Sequence, residues 1–111
     1  MEGEGKIIRF IVVERRRFVD GMGTGRNWTA ILGNTMYRER KASEDLVASL
    51  AEEQENVFLT DIVERDGIGI DEARASGEVE VERAPGHARI SFGRSTTSYS
   101  VVELVDGDYL L

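Results

Sequence analysis

The chain has 111 residues, 41% of them hydrophobic and 32% charged, with 14 bases, 21 acids and no cysteine. That length suits a single domain over residues 1–111, with 1–5 as a flexible N-terminus. Zero cysteine excludes disulfide frameworks, thiol catalysis, Cys-based zinc sites and iron–sulfur clusters. No apolar run approaches the ~20 residues that span a bilayer. The opening MEGEGK carries acid and glycine where a secretion signal would be basic and apolar, so a soluble, cytoplasmic protein is expected.

Lys6–Val13 (KIIRFIVV) is β-branched and aromatic, which predicts a strand. Glu14-Arg15-Arg16-Arg17 follows, and then Gly21, Gly23 and Gly25 mark a flexible loop. Trp28–Leu32 reads as the returning strand of a hairpin, prolonged by Thr35–Arg40 after a bulge at Gly33-Asn34; a helix from Trp28 is the competing reading. Ser43 is a candidate N-cap with Glu44 and Asp45 in the first turn. Leu46, Val47, Leu50 and Ala51 recur at helical spacing, with Glu52, Glu53 and Glu55 opposite, which predicts a helix over 43–55. Val57–Arg65 fits a helix by periodicity and a strand by its β-branched content.

Asp66-Gly67 breaks that segment, and Asp71 caps a short helical turn, Glu72–Ser76, that Gly77 stops. From Glu78 onward the pattern is antiparallel sheet. Glu78, Glu80 and Glu82 alternate with Val79 and Val81, giving one wet face and one buried face. Ala84-Pro85-Gly86-His87 is a turn, and Ser95–Ser98 a hydroxyl-rich one. Ala88–Gly93, Tyr99–Val105 and Tyr109–Leu111 supply the remaining strands, the last two joined through Asp106-Gly107-Asp108. The fold class is therefore α+β: an N-terminal β-hairpin, one or two central helices and a C-terminal antiparallel meander.

Charge is unevenly distributed along the chain. Residues 1–41 hold nine bases and five acids, net +4; residues 42–111 hold five bases and sixteen acids, net −11. Two surfaces follow as candidates. One is acidic, from Glu52, Glu53 and Glu55 on the helix and Glu78, Glu80 and Glu82 on the strand. The other is a basic hairpin with Arg15, Arg16, Arg17 and Arg26 near its tip and Trp28 beside them.

Other chemistry finds little support. Placing Gly67 at the sixth place of a calcium loop puts Ile62 and Ala73 at its two ends, where carboxylates are needed. The dinucleotide pattern begun by Gly21 and Gly23 requires glycine at position 26, which is Arg26. The one histidine, His87, sits in the predicted Pro-Gly turn, and no nucleophile elbow occurs. No metal, no cofactor and no catalytic residue is therefore expected. A helix-turn-helix reading of 57–76 would have Asp-Glu-Ala-Arg-Ala-Ser as its short reading helix, with more acid than base.

No family is recognisable in these residues. The leading expectation is a non-enzymatic interaction module that covers a basic surface on a protein partner. In charge and size, though not in sequence, that suits an inhibitor or immunity-type role of the anti-CRISPR kind. The alternative is a module that contacts nucleic acid through its Arg-rich hairpin, and a third reading is a small-molecule pocket or enzyme between sheet and helices. Short sheet edges also leave room for a homodimer.

Overall fold

The computed structural model describes residues 8–19, 25–31 and 37–105. Within them the α+β architecture takes the form of strands β1 (Ile8–Val19) and β2 (Gly25–Ile31), helices α1 (Arg40–Asp66) and α2 (Ile70–Ala75), and strands β3 (Val79–Ala84), β4 (His87–Phe92) and β5 (Ser95–Val105). The described strands form one antiparallel sheet in the order β2-β1-β5-β4-β3. The last strand thus closes against the first, and α1 packs on β1, β5, β4 and β3.

Parity along β1 decides which side chains meet the helix, because strand residues alternate between faces. Val12 is fully buried in one cluster with Val47 and Ala51 of α1, so the even-numbered residues of β1 face α1. Register carries the same face across the sheet through Thr97 and Tyr99, Ala88 and Ile90, then Val79 and Val81. Phe58 of α1 stacks obliquely on Phe92, ring centroids 5.2 Å apart. A second cluster of Leu59, Ile62 and Ala73 joins α1 to α2.

α1 runs over 27 residues, about twice the expected 43–55. Val57–Arg65 is helical because Phe58, Leu59 and Ile62 continue the buried stripe of Val47, Ala51 and Gln54. Packing along that stripe outweighs the weak strand preference of the β-branched residues. Ser43 is not the N-cap. Its hydroxyl lies inside the helix, fully buried, and donates to the Arg40 carbonyl at 2.7 Å. Two i,i+4 ion pairs, Arg40–Glu44 and Lys41–Asp45, carry the helix back to Arg40. Gly67 ends it with φ 68°, its N–H donating to the Val63 carbonyl at 2.8 Å.

Asp71 likewise is no cap; α2 starts one residue earlier, after Gly69, and Asp71 lies in its first turn. Arg40, expected to end a prolonged strand, begins α1 instead, while Tyr37 bridges Phe10. Ser95–Ser98 is not a turn but the first third of β5, since it pairs with β1 on one side and β4 on the other. Two-residue turns join the meander at Pro85-Gly86 and Gly93-Arg94. Both glycines have positive φ, 76° and 58°, as such turns demand. The glycine loop at 21–24, the bulge at Gly33-Asn34 and the strand at Tyr109–Leu111 with its Asp106-Gly107-Asp108 turn lie outside the described residues. No described helix is long and apolar enough to cross a membrane.

Candidate functional site

The solvent side of α1 is the more uniformly charged surface. Residues 42–64 contain seven acids and no base. Glu44 and Asp45 are held by the bases one turn earlier, and Glu55 by two arginines. Glu52, Glu53, Asp61 and Glu64 are exposed and have no basic partner among the described residues. Val57, 53% exposed, shares a surface with Glu53, Asp61 and Glu64, while Glu52 lies farther round the helix. The stretch from Glu52 to Glu64 spans about 18 Å of helix axis.

The sequence expected Glu55, Glu78 and Glu82 on that same acidic surface, and the structure distributes them differently. Glu55 turns toward the sheet, only 17% of its side chain exposed, with Arg83 at 2.7 Å and Arg74 at 4.0 Å. Glu78 precedes β3 and accepts from Arg65 at 2.8 and 2.9 Å. Arg65 also holds Asp66 at 2.7 Å, and this guanidinium keeps the Asp66 carboxyl below its ordinary range. Glu82 bonds to Arg89. Glu80 is exposed and unpaired among the described residues, but it points to the helix-free side of the sheet. The predicted acidic residues therefore do not form one surface.

The basic hairpin is likewise divided by strand parity. Arg16 faces α1, where it bonds Glu14 at 3.0 Å and reaches Gln54 at 3.3 Å. This is a polar cluster within the helix–sheet layer: Glu14, Gln54, Thr97 and Tyr99 are all at least nine-tenths buried. Burial, followed by the adjacent Glu14 carboxylate, pushes the Tyr99 hydroxyl up to about 12. None of these partners was legible beforehand except through the parity of β1, which places 12, 14 and 16 on one face.

Arg15 and Arg17 point to the opposite, helix-free face. Both are exposed, and neither has a carboxylate partner among the described residues. Register sets Thr29 and Ser98 beside Arg15, and Asn27 and Thr96 beside Arg17. These six residues, together with Arg16 between the two arginines, line a shallow pocket of about 320 Å³. Farther across the same face stand Arg89 with Glu82, and Ser91 with Glu80. Arg26 and Trp28 pair with Phe18 and Arg16 in register, and their side chains lie outside the described set.

Two further features can be placed. His87 opens β4, exposed, with Nδ1 3.0 Å from the Ser100 hydroxyl. α2 has only six residues, and its one base, Arg74, lies 3.6 Å from Asp71 as well as near Glu55, which leaves little to read a DNA groove. No family model matches the chain, and neither the curated proteins nor the solved structures contain a match to it.

Proposed function

We propose that this protein is an interaction domain that binds a basic surface of a partner protein through the solvent side of α1. The observation that supports it most is the run of 23 residues, 42–64, with seven acids and no base. Four of those carboxylates, Glu52, Glu53, Asp61 and Glu64, stay exposed without an internal cation among the described residues. Val57 adds apolar area beside Glu53, Asp61 and Glu64, the combination from which charged interfaces draw both steering and a desolvated anchor. Blocking a basic groove in this way is how an inhibitor or immunity-type protein acts.

The test compares three proteins in affinity capture from nuclease-treated lysate at two salt concentrations. Wild type should retain salt-sensitive partners. The quadruple reversal E52K/E53K/D61K/E64K should lose them, and E80K/E82K, on the other side of the sheet, should keep them. Equal capture by wild type and the quadruple variant would exclude the reading.

A further inference from the structure

The helix-free face of the sheet carries a second surface of opposite sign, independent of the acidic helix. Six side chains stand there in two rows of three: Thr29, Arg15 and Ser98, then Asn27, Arg17 and Thr96. Strand spacing makes this grid about 10 Å wide, and the two-residue step makes the rows about 7 Å apart. Every one of the six is a hydrogen-bond donor, and the arginines occupy the central column with five N–H groups each. No carboxylate lines the pocket of about 320 Å³ they form with Arg16.

Seven of the other described cations are paired, while Arg9, Arg38 and Arg94 share with Arg15 and Arg17 the lack of a carboxylate among the described residues. Acids outnumber bases 21 to 14 in the chain, and Arg16, Arg40, Lys41, Arg65, Arg74, Arg83 and Arg89 all hold carboxylates. Arg15 and Arg17 lie side by side and hold none among the described residues. Among the described residues, the nearest acids across that face, Glu80 and Glu82, are on β3, three strand spacings or about 14 Å from β1. That exceeds the ~8 Å screening length at physiological salt, and Glu82 is already held by Arg89.

We infer that this grid binds the phosphate group of a small phosphorylated ligand. Two guanidinium forks supply the charge for a dianion, and the flanking hydroxyls and amide supply donors for its remaining oxygens. A phosphate within a nucleic-acid strand presents the same chemistry. A small ligand is favoured because, among the described residues, no aromatic ring stands in the grid for a base to stack on, and the net charge of −7 repels a polyanion.

Amide chemical shifts followed during titration with pyrophosphate, and separately with a ten-residue oligothymidylate, test this at low ionic strength. Pyrophosphate should move the amides of Arg15, Arg17, Thr96 and Ser98 saturably. The R15Q/R17Q variant should weaken that binding on the order of tenfold or more, since charge-assisted bonds are lost. R9Q, which alters an arginine of the same strand face outside the grid, should leave it unchanged. Both arginines are exposed, so the double variant should fold, which its amide spectrum also reports. Binding of the oligonucleotide alone would overturn the small-ligand assignment in favour of nucleic acid. Absence of both titrations, or pyrophosphate shifts that survive R15Q/R17Q, would overturn the site itself.

Discussion

On the helix side of the molecule, Glu52, Glu53, Asp61 and Glu64 stay unpaired among the described residues because residues 42–64 contain no base and the bases that reach the segment from outside, Arg40, Lys41, Arg74 and Arg83, are held by Glu44, Asp45 and Glu55. On the helix-free side, Arg15 and Arg17 stay without a carboxylate among the described residues because the strands beside them bring hydroxyls and an amide instead of acids. The first segregation is local, written into one segment. The second arises only when β2, β1 and β5, separated in sequence, are laid in register. Between the two surfaces lies a single layer of packing, so they stand or fall together. Ile90→Ala in that layer removes a fully buried side chain and should cost about 2–5 kcal/mol. Urea unfolding followed by tryptophan fluorescence and by circular dichroism should show one coincident transition shifted to lower denaturant. Separate transitions would show that helix and sheet are not one cooperative unit.

The same contrast explains what could be read from the residues alone. Helix periodicity at Leu46, Val47, Leu50 and Ala51 locates α1, but its second half is ambiguous, since the β-branched Val57, Thr60, Ile62 and Val63 stand interleaved with Phe58 and Leu59. Only contact with α2 and the sheet decides that half. The alternation of Glu80 and Glu82 with Val79 and Val81 foretold β3 and its wet face. Ser95–Ser98 misled because a short polar run resembles a turn until strands flank it on both sides. Thr96 and Ser98, a third of the anion grid, lie in that run. The division of Arg16 from Arg15 and Arg17 was available from parity, once Val12 is taken as core.

A smaller perturbation separates the polar part of the central layer from its apolar part. Tyr99 is 2% exposed and its hydroxyl is pushed up to about 12 by burial and then by the Glu14 carboxylate. In the unfolded chain it ionises near 10. A group whose folded pKa is raised contributes stability below the unfolded pKa and loses it as pH climbs through the folded one. Stability should therefore be insensitive to this group below about pH 9 and should fall between about pH 10 and pH 12. Tyr99→Phe should flatten that stretch of the profile. If the urea midpoint of the variant declines over those pH values as steeply as that of wild type, the alkaline loss comes from elsewhere.

The smallest effect concerns the acids discounted above as already paired. Arg89 and Glu82 form an ion pair whose side chains are 49% and 65% exposed, so solvent screens it strongly. Arg89→Ala should change stability by less than about 1 kcal/mol. Its consequence lies in charge: it frees the Glu82 carboxylate on the face that carries Arg15 and Arg17, about 14 Å away across three strand spacings. At 0.15 M salt that separation exceeds the screening length, and binding of pyrophosphate to the grid should be unaltered. At 0.01 M, where screening extends to ~30 Å, the freed carboxylate should weaken it measurably. Weakening that persists at 0.15 M would mean that Arg89 itself touches the anion, and the grid would then extend one strand farther, through Ser98 to β4.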